Sequence, residues 1–124
     1  MTDCTRISVD DAQALLASKS PVMLLDMRDA QSYCQGHDPR AIHLSELSIR
    51  TLIRSTPKDV HMIVYCYQGH ASQERAQLLA DFGFTRCYSL DGGYEAWKNR
   101  RSHTDHFVRT RASAAIAQPQ GIHS

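Results

Sequence analysis

Hydrophobic positions along the chain fall into short continuous runs that alternate with amphipathic stretches. The two longest runs, "VMLLDM" at 22–27 and "HMIVYC" at 61–66, are typical of strands buried on both faces of a parallel sheet. Three shorter strands are predicted at "TRISV", "AIHLS" and "RCYSL". Because helical patterns lie between these strands, the alternation predicts an α/β fold with a mainly parallel five-stranded sheet and helices on both faces.

Capping and periodicity set the predicted helices. Ser8 followed by Asp11 is a typical helix start. A helix is also predicted after "YCYQGHAS", with Gly83 just beyond its end. The predicted buried face of that helix consists of apolar positions plus one arginine, namely Arg75, Leu78, Leu79 and Phe82. A last short helix is predicted at "YEAWKNR", with Trp97 filling the core beneath it.

Composition narrows the class of protein. With 124 residues, 42% hydrophobic and 22% charged, the chain is expected to bury one core, and a net charge of +1 gives no reason to expect nucleic acid. No apolar run is long enough for a membrane span, and the start has no export-signal pattern. The four cysteines form no C-x-x-C pair, which favours reduced thiols and a cytoplasmic location. No metal or other cofactor is indicated.

The last part of the chain departs from the alternation. Residues from Lys98 onward carry a net charge of +4, so residues 1–97 carry −3. We therefore predict one domain over residues 5–101 and a basic tail, partly ordered or disordered, over residues 102–124.

Cys66 stands where a buried strand gives way to a helix. A thiol at a helix N-terminus has a lowered pKa, and Gly69 supplies the backbone freedom that lets a short loop turn its N–H groups inward. Ser72 is expected either to cap the helix or to donate a hydrogen bond into the loop. These features suit a nucleophile. The alternative is that Cys66 is a small buried hydrophobic residue at the end of a core strand.

Two chemistries use a cysteine in such a loop. A phosphatase loop needs an arginine six residues after the cysteine to hold a phosphoryl group, and Ser72 occupies that position here. Sulfur transfer requires only a thiolate that accepts a sulfane sulfur as a persulfide stabilised by N–H groups. The loop therefore favours sulfur transfer.

Three segments together resemble the single-domain rhodanese family of thiosulfate sulfurtransferases. They cover roughly residues 5–100 in the order and spacing typical of the family. The segments are "LLDMRDAQSYCQGHDPRAIHLS", "IVYCYQGHAS" and "LDGGYEAW".

The resemblance implies a rhodanese-like fold in which Cys66 carries the persulfide. It implies a cradle formed by the backbone amides of the next five residues, Tyr67, Gln68, Gly69, His70 and Ala71. It also implies that sulfur comes from thiosulfate or another persulfide donor and passes to thioredoxin, glutathione or cyanide. We expect a monomer or a weak dimer, with no metal.

The loop departs from the family in one respect. Many members carry a basic residue in or just after the loop, whereas here there is only His70 before Arg75. This departure keeps open an alternative function, namely a persulfide carrier that does not use thiosulfate, or a sensing or binding module.

Other polar residues are expected to support the structure. Asp26 and Arg28 are predicted to pair and to order loops near the site, and His37 and His43 to tie loops together. The other three cysteines are weaker candidates for a reactive thiol. Cys34 and Cys87 are expected to be buried, and Cys4 is the next candidate for a reactive thiol.

Overall fold

The computed structural model describes residues 3–100 of the chain. Five strands form one sheet, and each lies within a segment that the sequence predicts to be a strand. They are β1 (Thr5–Ile7), β2 (Val22–Asp26), β3 (Ala41–His43), β4 (His61–Tyr65) and β5 (Cys87–Leu90). Their order in the sheet is β1-β5-β4-β2-β3, and all four pairings are parallel. The predicted α/β fold with a five-stranded parallel sheet is therefore confirmed.

A helix follows each strand. The helices are α1 (Val9–Ala17), α2 (Ala30–Gln35), α3 (Glu46–Ser55), α4 (Ala71–Asp81) and α5 (residues 93–100). The predicted start of α1 is confirmed, because the Ser8 side chain accepts a hydrogen bond from the Asp11 N–H at 3.0 Å. Gly83 has a φ of +106° just after α4, as predicted for a residue that ends a helix.

The sheet separates two hydrophobic cores, because successive residues of a strand face opposite sides. Leu25, Met62 and Val64 face α3 and α4, whereas Leu24 and Ile63 face the other side. The second core also includes Ala12 of α1 and Trp97 of α5. Trp97 is only 1% exposed, so its predicted place in the core is confirmed. Helices on both faces explain why the central strands are apolar throughout.

The topology brings three loops to one edge of the sheet. The carboxyl end of β4 lies between those of β5 and β2, and each of these strands is followed by a loop that leads into a helix. In open parallel sheets, ligands bind at this edge. The β4–α4 loop, which contains Cys66, is at its centre.

Two predictions about side chains are wrong. Phe82 is 53% exposed, because α4 buries a different set of positions that consists of Ser72, Ala76, Leu79 and Ala80. Small residues on this face let the helix lie close to the sheet, and Phe82 follows the last helical residue, outside that face. Cys34 is exposed on α2, whereas Cys87 is buried as predicted. The predicted tail, residues 102–124, lies outside the described residues.

Candidate active site

Cys66 comes directly after β4 and is only 3% exposed. The start of α5 holds the backbone at this point. The Tyr94 N–H donates to the Cys66 carbonyl at 2.8 Å, and the Glu95 N–H donates to the Tyr67 carbonyl at 3.1 Å. These two hydrogen bonds fix the carbonyls of Cys66 and Tyr67 on the side of α5. The N–H groups of the loop residues that follow can therefore point toward the sulfur.

The Cys66 sulfur lies among hydrogen-bond donors. The Gly69 N–H donates to Sγ at 3.1 Å and the Ser72 N–H at 3.3 Å. The Ser72 Oγ also lies 3.3 Å from Sγ. A thiol can donate to this hydroxyl, whereas a thiolate can only accept from it. Ser72 therefore contacts the sulfur twice, through its backbone N–H and through its side-chain hydroxyl.

Ser72 is in turn held by a residue that the sequence analysis did not single out. The Ser89 Oγ lies 2.8 Å from the Ser72 Oγ, and Ser89 is 1% exposed in β5. The sequence contains one indication of this role: Ser89 lies in a predicted buried strand, and a buried hydroxyl needs a hydrogen-bond partner. Of the two roles expected for Ser72, the structure shows the hydrogen bond into the loop. The N-cap residue of α4 is His70, and no side chain caps the helix.

These contacts lower the pKa of Cys66. Burial opposes ionisation and raises the pKa of the thiol. Hydrogen bonds from the Ser72 hydroxyl and from the N–H groups of Ser72, Gly69 and Gln68 outweigh burial, so the pKa of Cys66 lies below its ordinary value. By contrast, burial raises the pKa of Cys87 to about 12 and is also the main cause that raises the pKa of Cys4. Cys66 is thus the cysteine whose surroundings favour a thiolate nucleophile.

Two glycines permit this close arrangement. Gly69 has a φ of +96°, and a Cβ placed there would lie 2.9 Å from the Gly92 N. Gly93 has a φ of +60°, and its Cβ would lie 2.6 Å from the Tyr67 carbonyl oxygen and 2.7 Å from that of Cys66. Any larger residue at either position would push the Cys66 loop away from the start of α5.

The remaining loop residues lie around the mouth of the site. Gln68, His70 and Ala71 are exposed, and in the described structure the amides of Tyr67, His70 and Ala71 make no hydrogen bond to Sγ. The Tyr67 side chain is 45% exposed. Its hydroxyl hydrogen-bonds to the Asp29 carboxylate and to the Ser32 Oγ. The hydrogen bond from Tyr67 is the main cause that lowers the pKa of Asp29.

Asp26, the last residue of the neighbouring strand β2, forms a buried ion pair with Arg28 of the loop that follows it. Asp26 is fully buried, and its Oδ2 lies 2.7 Å from the Arg28 Nη2. The same Nη2 donates to the Gly36 carbonyl at 2.7 Å, and the Arg28 carbonyl lies 2.7 Å from the His43 Nε2. The guanidinium carbon lies 3.8 Å from the centre of the Tyr94 ring. The pair therefore links the β2–α2 loop to β3 and to α5, and α5 in turn holds the Cys66 loop.

No arginine or lysine lies within the loop itself. Arg75, one turn into α4, is paired with Glu46 of α3 at 3.4 Å. Within residues 3–100, no three His, Cys, Asp or Glu side chains are grouped so as to hold a metal ion. The helices of the same residues include none with the length and hydrophobicity needed to cross a membrane.

Comparison with known proteins matches this geometry to a family. A sequence model described as the rhodanese-like domain matches residues 8–100. The thiosulfate sulfurtransferase GlpE of Pseudomonas savastanoi pv. phaseolicola is 40% identical over 98 residues, which cover 79% of this chain and 91% of the relative.

Solved structures share the fold. A rhodanese-like domain protein from Staphylococcus aureus has a TM-score of 0.65 and 24% identity, covering 75% of this chain and 90% of its own. A possible tyrosine phosphatase of unknown function from Rhodopseudomonas palustris has a TM-score of 0.67 and 23% identity, covering 78% of this chain and 81% of its own. From the residues matched and the 40% identity to a curated relative, the chain belongs to the rhodanese-like domain family.

Proposed function

We propose that this chain is a thiosulfate sulfurtransferase that carries the transferred sulfur as a persulfide on Cys66. The observation that supports it most is the set of hydrogen-bond donors around Sγ, which lowers the pKa of a nearly buried thiol. The similarity to curated relatives named thiosulfate sulfurtransferase supports the choice of donor.

In the first step, the Cys66 thiolate attacks the sulfane sulfur of thiosulfate. A bond forms between Sγ and that sulfur, the sulfur–sulfur bond of thiosulfate breaks, and sulfite leaves with the electron pair. The outer sulfur of the persulfide then extends beyond Sγ. The amides of Tyr67, Gln68, His70 and Ala71, which lie in the loop between β4 and α4 and in the first residue of α4, are suited to stabilise its negative charge.

In the second step, an acceptor takes the outer sulfur and frees the thiolate. The acceptors proposed are a thiol, such as that of thioredoxin or glutathione, or cyanide. We place the working unit in residues 5–101 and the activity in the cytoplasm. Four free cysteines, none of them in a disulfide, support that location.

Thiocyanate formation from thiosulfate and cyanide tests this proposal. The wild-type protein is expected to form thiocyanate, and Cys66→Ser is expected to form none. Cys34→Ser is the matched control, because Cys34 is also free but exposed on α2. Activity that survives in Cys66→Ser, or is absent from the wild type, would contradict the proposal.

The absence of a loop cation favours a second function, in which a partner protein supplies the persulfide and free thiosulfate is a poor donor. Arg75, the nearest arginine along the chain, is already paired with Glu46. This alternative predicts that Cys66 gains sulfur from a persulfide donor but not from thiosulfate. A phosphatase is disfavoured by Ser72, and loss of phenyl phosphate hydrolysis in Cys66→Ser would be needed to support it.

A further inference from the structure

Several carbonyl groups of the Cys66 loop are bound by neighbouring parts of the protein. The carbonyls of Cys66 and Tyr67 accept hydrogen bonds from the backbone of α5, and the His70 carbonyl accepts from the Gln73 N–H at 3.2 Å. The Gly69 carbonyl is bound by a side chain instead, because the Gln73 Nε2 donates to it at 2.9 Å. Among these four bonds, this last one therefore depends on the type of residue at position 73.

Gln73 is the third residue of α4, and its side chain reaches back to the loop that precedes the helix. Since a carbonyl oxygen only accepts hydrogen bonds, the side-chain amide must present its NH2 group to Gly69. Gly69 is buried, whereas Gln73 is exposed. The contact thus links a buried glycine of the loop to an exposed side chain of the helix.

A bound carbonyl also fixes the direction of the next N–H group in the chain. The peptide bond between Gly69 and His70 is trans, and the C=O and N–H of a planar trans peptide point in opposite directions. Because the Gly69 carbonyl points toward the Gln73 side chain, the His70 N–H points away from that side chain.

The same loop contains a second example of this coupling. The Tyr67 carbonyl is bound by the Glu95 N–H at 3.1 Å, and the next N–H group in the chain is that of Gln68. The Gln68 N–H is one of the hydrogen-bond donors that lower the pKa of Cys66. A carbonyl bound on one side of the loop is thus followed by an N–H group that serves the sulfur on the other side.

The His70 N–H is not used by the resting thiol. The N–H groups of Gly69 and Ser72 donate to Sγ, whereas the His70 N–H makes no hydrogen bond to it in the described structure. In a persulfide, the outer sulfur lies beyond Sγ and carries the negative charge. It therefore needs a donor that the resting sulfur leaves free, and the His70 N–H follows directly after the Gly69 donor.

We propose that Gln73 is a positioning residue for the Cys66 persulfide, and that it acts by holding the Gly69–His70 peptide so that the His70 N–H meets the outer sulfur. Gln73 itself touches no reacting atom. This inference rests on the proposed function, and it adds a side chain that supports the persulfide rather than the resting thiol.

Three variants separate this role from a general effect on the helix. Gln73→Met keeps about the length of the side chain and removes its donor. Gln73→Lys retains a donor on a longer side chain. Gln31→Met makes the same change as Gln73→Met at an exposed glutamine of α2 and is the matched control.

The amide proton of His70 gives the direct readout. Cys66 is converted to the persulfide with thiosulfate, and proton–nitrogen correlation spectra of the resting and persulfide forms are compared. In the wild type, the His70 amide proton is expected to shift downfield on persulfide formation, because it gains a hydrogen bond. This shift is expected to be largely lost in Gln73→Met and retained in Gln73→Lys and in Gln31→Met.

Activity and alkylation give a second readout. Gln73→Met is expected to lower kcat/KM for thiosulfate about three- to tenfold, the size of one hydrogen bond to a charged group. The pKa of Cys66, measured by alkylation with iodoacetamide, is expected to stay unchanged, because the donors to the resting sulfur are kept. Gln31→Met is expected to change neither value. Gln73→Lys is read by NMR alone, since its added charge can itself attract thiosulfate.

Two results would overturn the inference and leave the proposed function intact. One is a persulfide form in which the His70 amide does not shift in the wild type, or shifts equally in Gln73→Met. The other is a lost shift that Gln73→Lys does not restore, because the donor at position 73 would then not be the cause. A role in stability alone would lower the urea midpoint of Gln73→Met and leave its His70 shift unchanged.

A different result would contradict the proposed function, namely that thiosulfate does not load Cys66. The same NMR comparison is then made after loading with sodium polysulfide. The Cys66 thiolate attacks the terminal sulfur, a sulfur–sulfur bond of the polysulfide breaks, and the chain shortened by one sulfur leaves with the electron pair. The two results named above overturn the inference in this form as well, and a protein that neither donor loads would overturn both the function and the inference.

Discussion

The Ser72 hydroxyl lies 3.3 Å from the Cys66 sulfur and is itself held at 2.8 Å by the Ser89 hydroxyl. All three groups are buried. A hydroxyl so constrained can donate to the thiolate at almost no cost in side-chain entropy, because its position is already fixed. The relationship explains how a thiol with no cation in its loop is nevertheless held ready to ionise.

The first prediction concerns this hydroxyl. Ser72→Ala keeps the backbone N–H but removes the hydroxyl, so the pKa of Cys66 is expected to rise by about one unit, the equivalent of one hydrogen bond to a charged group. The value of kcat/KM for thiosulfate is expected to fall by up to about tenfold near neutral pH, because a rise of one unit in the pKa lowers the thiolate fraction by at most that factor. The pH dependence of alkylation by iodoacetamide measures the pKa directly.

Ser55→Ala is the matched control for Ser72→Ala. Ser55 ends α3, is exposed, and hydrogen-bonds only to the Thr51 carbonyl at 2.7 Å. The control is expected to leave the alkylation profile unchanged. If Ser72→Ala also leaves it unchanged, the hydroxyl does not support the thiolate.

The second prediction concerns stability and pH. The folded pKa of Cys66 is lower than that of an ordinary cysteine, so its ionisation stabilises the fold fully above the unfolded pKa. That contribution is lost as the pH falls through the folded pKa. The difference in free energy of unfolding between the wild type and Cys66→Ser is therefore expected to shift in favour of the wild type as the pH rises from 6 toward about 9.

Urea denaturation of both proteins in reducing buffer measures this difference. The raised pKa values of Cys4 and Cys87 affect both proteins alike and cancel in the comparison. A difference that stays constant across the pH range would mean that the thiol is not ionised more readily in the folded state.

The third prediction concerns Gly93. Gly93→Ala places a Cβ 2.6 Å from the Tyr67 carbonyl oxygen and is expected to displace the Cys66 loop, lowering kcat/KM at least tenfold. Gly83→Ala is the matched control, because Gly83 also has a positive φ but its Cβ would meet only Lys58, at 3.6 Å. The control is expected to lose about 1 kcal/mol of stability and to keep its kcat/KM. Equal losses of activity in both variants would show that backbone strain alone is responsible.

The fourth prediction concerns the buried pair of Asp26 and Arg28. Arg28→Gln leaves a buried carboxylate without its cation and is expected to cost about 3–5 kcal/mol in the free energy of unfolding. Arg6→Gln is the control, since Arg6 pairs with Asp91 at 2.7 Å where both side chains are largely exposed. It is expected to cost no more than about 1 kcal/mol. Urea denaturation that gives the same small loss for both variants would contradict a supporting role for the buried pair.

Much of the fold follows from local patterns. Buried strands such as β4 are continuous apolar runs, and Ser8 and Gly83 mark helix ends by chemistry that is visible in the sequence. The buried face of α4 was not visible in the same way. Small residues decide it, since Ala76 lies against the sheet while Phe82 is exposed, and small residues give no hydrophobic signal of their own.

The candidate site, too, could be predicted from the sequence only in part. Cys66 and Gly69 stand out because a thiol and a glycine follow a strand, but the part played by Ser89 depends on the register between β4 and β5. The same holds for the Trp97 indole N–H, which donates to Asp38 at 3.2 Å across 59 positions of the chain. Contacts between residues so far apart depend on the folded arrangement and have no local pattern.

The most direct test is the mass of the protein after incubation with thiosulfate. The wild type is expected to gain the mass of one sulfur atom, located on the peptide that contains Cys66, and to lose it on addition of cyanide or a reducing thiol. Cys66→Ser is expected to gain nothing. A wild-type protein that gains no sulfur from thiosulfate, or that gains it equally when Cys66 is replaced, would contradict the proposed mechanism.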